Sequence, residues 1–231
     1  MITVTQEGSE TKETTNVILP FDVCEEHDVE EIGELEARRG YAFAKRTLDI
    51  VVSLTALLIT AIPMLIIAFL IFCTSRGNAI YCQERLGLNG KKIKIVKFRT
   101  MFADAEKTGA QWSAGDGDVR ITKVGRFLRK FHLDELPQLV NIVKGDMSLV
   151  GPRPEREVFY EEFEKYIHGF SQRMKVKPGL TGLAQVNGGY YLKPEEKIVY
   201  DIQYIKERSF RTDIKILFMT VAVVFSGKDS K

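Results

Sequence analysis

Cysteine and histidine are scarce in this chain, which excludes several classes of protein. Its 231 residues include three cysteines and three histidines, and Cys24, Cys73 and Cys82 form no close pair. A disulfide framework or a zinc site needs grouped ligands, so neither is indicated, and reduced thiols facing the cytosol are the simplest interpretation. The first thirty residues lack a basic start followed by an apolar stretch, so we expect no cleaved signal peptide.

Positive charge is scarce at the start of the chain. Residues 1–40 hold eleven acidic and three basic side chains, whereas residues 41–231 hold twenty acidic and thirty basic ones. The net charge of +2 therefore conceals an acidic extension joined to a basic body. A basic body suits anionic headgroups, nucleotides or nucleic acid, whereas the acidic segment is typical of a solvated, partly disordered extension.

Residues 50–73 carry no charged side chain. At about 1.5 Å per helical residue, this run is long enough to cross a bilayer core of about 30 Å. Pro63, near its middle, removes a backbone hydrogen bond and favours a kink. Because basic residues flank both ends and such flanks favour the cytoplasm, a helix that turns back at Pro63 would keep both flanks on one side. We therefore predict a re-entrant helical hairpin, and a plain single-span anchor is the alternative.

Hydrophobic periodicity predicts a mainly α protein with short β-strands, of the α+β class. We expect strands at residues 91–99 and 147–150, a helix start running into a loop at 103–118, and helices at 124–131, 134–144, 155–167, 194–207 and 212–225. The last helix is too short to cross a bilayer, so a place in the membrane interface and a place over the core are both left open. We divide the chain into an acidic extension (1–40), a membrane-associated helix (41–76) and a further domain (77–231).

Two adjacent carboxylates, Asp134 and Glu135, lie between a basic amphipathic helix and a stiff turn in which two prolines flank Arg153. Neighbouring helical residues point about 100° apart, so one carboxylate can attack while the other orients a metal ion or a partner. If a helix begins at Asp134, its backbone N–H groups also attract phosphate. A plain capping role for the pair is the alternative. A magnesium ion bridging pyrophosphate oxygens would complete the charge compensation begun by Arg126, Arg129 and Arg153.

A set of ordered motifs resembles the bacterial sugar transferases, which are membrane-associated polyprenyl-phosphate phosphoglycosyl transferases. The matching segments are KRTLD at 45–49, KFRTM at 97–101, VGRFLRK at 124–130, LDELPQL at 133–139, VKGDMSLVGPRP at 143–154 and KPGLTGLAQVNG at 177–188. The resemblance covers roughly residues 42–227 and includes the apolar run with its central proline. Leu183 is a departure, since the family often has tryptophan there, and residues 1–40 match nothing in the family.

The resemblance implies transfer of a sugar phosphate from a UDP-sugar to undecaprenyl phosphate, with release of UMP, as the first membrane step of glycan or exopolysaccharide assembly. It implies that Asp134 is the nucleophile of a covalent phospho-sugar intermediate and that Glu135 is its partner, with both carboxylates near Mg²⁺. Phosphate binding is expected from Arg126, Arg129, Arg153, Lys97 and Arg99. The catalytic domain would face the cytoplasm at the bacterial inner membrane, contact membrane lipids with interface-lying helices, and bind no nucleic acid; a homodimer is left open.

Two other functions compete with this one. A membrane-bound, magnesium-dependent pyrophosphate hydrolase would use the same acidic and basic groups with water as the acceptor. A non-enzymatic basic adaptor would bind acidic lipids, and replacing Asp134 would then be harmless. His132 could orient a carboxylate or move a proton, although a packing or surface role is more common for such a residue.

Overall fold

The computed structural model describes residues 26–36, 38–75, 77–102, 105, 118–189 and 192–226. The described chain is mainly helical with short strands in two-stranded sheets, which confirms the predicted class. The predicted loop at 103–118 lies almost wholly outside the described residues, as does most of the acidic extension.

Residues 26–36, which we call the N-terminal strap, pack against the domain that follows. Strand β1 (His27–Asp28) pairs in parallel with residues 167–168. Ile32 is 6% exposed and belongs to the main hydrophobic core. Its backbone N–H donates to the side chain of Gln172 at 2.5 Å, and Glu30 forms an ion pair with Lys206 at 2.5 Å. This part of the acidic segment therefore contributes to the fold.

Helix α1 (Arg39–Thr74) contains the apolar run and is long and apolar enough to cross a membrane. Only 11% of its most apolar window is buried. The residues on both sides of Pro63 belong to this one helix, so the predicted break into a hairpin is not confirmed.

Strands β2 (Ile80–Leu86) and β3 (Lys92–Phe98) form an antiparallel hairpin. In β3 the side chains of Ile93 and Ile95 are buried while Lys92 and Lys94 are exposed, as the period of two in a strand requires. The sequence predicted β3 but not β2. Since β2 has exposed apolar residues and no clear alternation, its pattern carried little signal.

Helix α2 (Lys123–Lys130) begins where the side chain of Thr122 accepts a hydrogen bond from the backbone N–H of Gly125 at 2.9 Å. A Cβ atom on Gly125 would lie 2.0 Å from the carbonyl oxygen of Thr100, so only glycine permits this approach. A 3-10 segment (Leu133–Gln138) follows, and it continues as helix α3 (Leu139–Lys144). The helix ends at Gly145, which has φ 94°, as the sequence predicted.

Most residues of the main hydrophobic core come from the second half of the chain. Strand β4 (Ser148–Val150) pairs in parallel with β6 (Gly179–Thr181), and helix α4 (Glu157–Phe163), strand β5 (Ile167–His168) and a 3-10 segment (Phe170–Lys175) lie between them. Helices α5 (Leu183–Asn187), α6 (Pro194–Glu207) and α7 (Phe210–Ser226) complete the domain. Helix α7 buries Ile216 against the core and exposes Phe218 and Val221, so it covers the core with one face and keeps an apolar outer face.

Candidate active site

The two adjacent carboxylates lie in the 3-10 segment, and the prediction that a helix begins at Asp134 is wrong. The residue before the segment is His132, whose backbone is left-handed with φ 53°. This conformation is uncommon outside glycine, and it turns the chain sharply from α2 into the segment. Pro137 lacks an N–H group and therefore cannot donate a helical hydrogen bond here. Asp134 and Glu135 are each 6% exposed.

Glu135 is surrounded by positive charge. Arg153 donates to its carboxylate through Nη2 at 2.5 Å and Nη1 at 3.3 Å, and Lys97 donates through Nζ at 3.2 Å. Burial alone would raise the pKa of Glu135, but the charges of Arg153 and Lys97 outweigh burial and hold the pKa well below its ordinary value. Glu135 is therefore ionised at neutral pH, with its oxygens engaged by two cations.

Asp134 has the opposite electrostatic environment. Burial and the neighbouring charge of Glu135 raise its pKa above the ordinary value, although Lys97 and Arg129 oppose the shift. Among the described residues, no side chain donates a hydrogen bond to its carboxylate at the distances that apply to Glu135. The two carboxylates therefore differ: Glu135 is fixed by ion pairs, whereas Asp134 is buried and, in the described part of the chain, is held by no such ion pair.

Both carboxylates line a cavity of about 610 Å³. Among the residues that the structure describes, nine Lys and Arg side chains line it and three carboxylates do, the third being Glu155. Such an excess of positive charge in a concave, partly apolar site suits a ligand with several negative charges. Apolar side chains of α7 line another part of the wall, including Leu217 and Val223.

The structure brings four of the five predicted phosphate-binding residues to this cavity. Lys97, Arg99, Arg129 and Arg153 line it. The Nε of Arg129 donates to the hydroxyl of Thr100 at 2.9 Å, which fixes the guanidinium. Arg99 instead donates to the backbone oxygen of Ser75 at 3.0 Å, so it also ties the end of α1 to β3. Arg126 is exposed on α2 and does not line the cavity among the described residues.

Sequence reasoning missed six charged residues that line the cavity: Arg85, Arg120, Glu155, Arg156, Arg173 and Lys197. They come from β2, the residues before α2, the segment after β4, the second 3-10 segment and α6, so no local motif joins them. One signal was present. In α6, Lys197 stands next to Ile198 and Asp201 stands next to Ile202, and both isoleucines face the core. Ionisable residues are rarely buried, so two of them beside the apolar face of a helix are unusual.

Among the described residues, no cluster of three or more His, Cys, Asp or Glu side chains could hold a metal ion. Magnesium is commonly bound by one or two carboxylates together with substrate phosphates, so a lone carboxylate suffices. Asp134 fits that requirement, because no Lys or Arg side chain of the described segments forms an ion pair with its carboxylate. Glu135 fits it poorly, because Arg153 and Lys97 engage its oxygens.

Comparison with known proteins identifies the family of this chain. The sequence model of the bacterial sugar transferase family matches residues 40–227. The chain therefore belongs to the bacterial sugar transferase family.

Three relatives illustrate the family. The chain is 40% identical over 200 residues to a UDP-N-acetylgalactosamine-undecaprenyl-phosphate N-acetylgalactosaminephosphotransferase of Aeromonas hydrophila, covering 85% of this chain and 47% of that protein. It is 44% identical over 191 residues to a UDP-glucose:undecaprenyl-phosphate glucose-1-phosphate transferase of Klebsiella pneumoniae, covering 80% and 41%. It is 40% identical over 202 residues to an undecaprenyl-phosphate galactose phosphotransferase of Salmonella typhimurium, covering 81% and 42%. The chain thus spans less than half the length of each of these relatives.

Proposed function

We propose that this protein transfers a sugar phosphate from a UDP-sugar to undecaprenyl phosphate and releases UMP. The names of the relatives support the general reaction for those proteins. The observation that carries the proposal for this chain is the contrast between Asp134 and Glu135 inside a strongly positive cavity. That arrangement suits capture of an anionic diphosphate by one reactive carboxylate.

In the proposed reaction an oxygen of Asp134 attacks the phosphorus that carries the sugar. The bond from this phosphorus to the bridging oxygen breaks, and UMP leaves with the electron pair. An oxygen of undecaprenyl phosphate then attacks the same phosphorus and displaces Asp134, which regenerates the carboxylate. Burial of Asp134 favours the first step, because a carboxylate without a full hydration shell is a stronger nucleophile.

Glu135 acts through the cations that it holds. Its carboxylate fixes the guanidinium of Arg153 and the ammonium of Lys97 beside Asp134, so both are aimed before a substrate arrives. Prolines on either side of Arg153 limit the turn further. The two cations would then bind the phosphate oxygens on which charge develops, and Arg129 would add a third from α2.

We propose magnesium as the cofactor, and Asp134 is the residue that would hold it. When bound, it would neutralise diphosphate charge and stabilise the departing UMP. Lys97, Arg129 and Arg153 supply positive charge to the same groups from the protein itself.

We also propose that α1 enters the membrane and returns to the same face. Near its start, Arg46 donates to the carbonyl oxygen of Ile142 at 2.7 Å, and near its end Ile71 packs against Phe98. A straight helix would separate residues 46 and 71 by about 37 Å. The contacts of residues 46 and 71, Ile142 and Phe98, are much closer together than that within the domain. The side chain of Asn141, next to Ile142, accepts a hydrogen bond from the backbone N–H of residue 96. Residue 96 lies two strand positions from Phe98.

The sequence around the middle of α1 favours such a bend. Pro63 cannot donate to the preceding turn, and the hydroxyl of Thr60 donates to the carbonyl oxygen of Ala56 at 2.7 Å, a contact that often bends helices. Large apolar side chains on both sides of Pro63 are exposed, including Leu58, Ile59, Ile62, Leu65, Ile66 and Phe69. Burial of the bend in the lipid of the inner membrane would cover them and hold the cavity at the cytoplasmic surface.

Trapping of the intermediate tests the reaction. Purified protein is incubated with UDP-sugars in turn, without lipid acceptor, and intact-protein mass spectrometry then detects a sugar-phosphate adduct. We expect the adduct on Asp134, its loss in Asp134→Asn, and its discharge when undecaprenyl phosphate is added. Free sugar phosphate without lipid product would indicate the hydrolase instead, and full activity of Asp134→Asn would contradict the proposal.

A further inference from the structure

The first turns of α1 belong to a hydrogen-bond network that the proposed reaction does not use. The ammonium of Lys45 donates to a carboxylate oxygen of Asp213 at 2.9 Å and to the hydroxyl of Tyr204 at 3.3 Å. Its third hydrogen bond goes to the carbonyl oxygen of Val150 at 3.0 Å. An ammonium group has three donors, so the three contacts engage all of them.

The network is shielded from solvent. The side chain of Asp213 is 0% exposed and that of Lys45 is 17% exposed. The hydroxyls of Tyr204 and Tyr41 donate to the two oxygens of Asp213 at 2.8 Å and 2.9 Å. The carboxylate therefore accepts three hydrogen bonds and compensates the charge of the ammonium. A buried network with satisfied members is rigid, so it fixes α1 against α6, α7 and the end of β4.

The carbonyl group that Lys45 holds lies close to the active site along the chain. Val150 ends β4, three residues before Arg153. The backbone of residues 151 and 152 forms two hydrogen bonds of 2.9 Å with β6, which fix the turn from one side. Lys45 fixes it from the other side, and Arg153 then donates to the carboxylate of Glu135 at 2.5 Å. A short, rigid stretch of backbone thus joins Lys45 to the paired carboxylates.

Neighbouring residues of α1 hold the other half of the site. Arg46 donates to the carbonyl oxygens of Ile142 and Val143 at 2.7 Å and 2.8 Å. These carbonyl groups end α3, where a helix leaves its last acceptors without helical partners, and α3 continues from the segment that carries the two carboxylates. Asp49 accepts a hydrogen bond from the backbone N–H of Leu149 in β4 at 2.9 Å. The start of α1 therefore holds both chain segments that meet at the active site.

We propose that Lys45 is a positioning residue for Arg153. By holding the carbonyl group of Val150, it sets the position of the turn and therefore the direction of the guanidinium that would bind phosphate oxygens. Lys45 is not among the described residues that line the cavity, so it acts through Arg153 and not on the substrate. Asp213 keeps the ammonium group in place. This inference rests on the proposed function and adds a residue to it.

The test compares Lys45→Met, which removes the donor, with Lys45→Arg, which keeps the charge and the ability to donate. Tyr41→Phe is the matched control, because it removes a hydrogen bond to Asp213 without touching Val150. The full chain is purified in detergent, and mass spectrometry of single turnovers measures the rate at which the adduct forms on Asp134. UDP-glucose, UDP-galactose and UDP-N-acetylgalactosamine are offered in turn, and the donor that the wild type uses fastest is kept. Thermal unfolding checks that each variant is folded.

Lys45→Met should slow adduct formation about 10- to 100-fold, because a misplacement of about 1 Å in a site can cost about 100-fold in rate. Lys45→Arg should recover most of this loss, and Tyr41→Phe should leave the rate nearly unchanged. A wild-type rate in folded Lys45→Met would overturn the inference.

A double-mutant cycle separates positioning of Arg153 from a general structural role. Arg153→Lys keeps the positive charge but loses the planar fork of donors, so its direction matters less. If Lys45 acts through that fork, Lys45→Met should slow the Arg153→Lys variant at most about twofold, since coupled residues are not additive. A general structural role would slow both backgrounds by the same factor, and that result would overturn the inference.

Lys45→Met leaves the buried carboxylate of Asp213 unpaired, so a second variant covers the case in which it does not fold. Lys45→Met with Asp213→Asn removes both charges and keeps an amide oxygen that can accept from Tyr204. It still lacks the donor to Val150, so we expect the same loss of rate and the same cycle, and a wild-type rate would overturn the inference. Wild-type protein that forms no adduct with any UDP-sugar offered would instead overturn the proposed function.

Discussion

Replacing Glu135 by glutamine tests whether the site depends on its central ion pairs. Removing one partner of a buried ion pair typically costs about 3–5 kcal/mol. The cost should be smaller here, because the side chains of Arg153 and Lys97 retain 23% and 18% exposure. We therefore expect a loss of about 2 kcal/mol in the free energy of unfolding, since water can partly solvate the released cations.

For a domain of this size, 1 kcal/mol shifts the unfolding midpoint by about 2–4 °C, so Glu135→Gln should unfold about 4–8 °C below the wild type. Circular dichroism in detergent measures the midpoint. Glu157→Gln is the control, because Glu157 pairs with Lys92 at 2.6 Å but both side chains are about half exposed. An exposed pair is screened by water, so its loss should leave the midpoint unchanged. Equal midpoints for Glu135→Gln and wild type would refute the reasoning.

Three further predictions concern other parts of the chain. The rate of adduct formation should fall as the pH drops through the raised pKa of Asp134, and Glu135→Gln should move this fall in rate to lower pH. Mass spectrometry of single turnovers measures the rate at each pH, and a fall at the same pH in both proteins would count against coupling of the two carboxylates. Gly125→Ala should destabilise the protein by about 3 kcal/mol, because its Cβ would meet the carbonyl oxygen of Thr100; chemical denaturation checks this, and wild-type stability would contradict the close approach. Ile32→Ala should cost about 2 kcal/mol through loss of core burial; an unchanged midpoint of thermal unfolding would mean that the strap adds no stability.

The sequence predicted elements whose signals are local. The bounds of α6 match the prediction, since Pro194 occupies its first turn and Glu195 and Glu196 follow it, as is typical of a helix start. The turn that carries Asp134 and Glu135 was expected as an α-helix, but Pro137 and the left-handed His132 favour a 3-10 segment. Neither effect shows in the spacing of apolar residues, which is the signal that the prediction used.

The site was predictable to the extent that its residues are neighbours in sequence. Asp134, Glu135 and Arg153 lie within twenty residues of one another, and their convergence with nearby basic residues favoured a phosphate site over a plain capping role. Lys197 and Arg85 reach the same cavity from α6 and β2, more than a hundred residues apart. Only tertiary packing joins them, so no spacing rule could have placed them in one site.

The N-terminal strap lies before residue 40, where the match to the family begins. It nevertheless contacts the turn between α6 and α7, since the side chain of Arg208 donates to the backbone oxygen of Glu36 at 3.2 Å. A variant that begins at residue 40 would lose Ile32 and expose the apolar surface that Ile32 covers. Because α1 also exposes large apolar side chains, we expect such a variant to aggregate more readily. Experiments that exchange domains between relatives should therefore transfer the N-terminal strap together with the domain against which it packs.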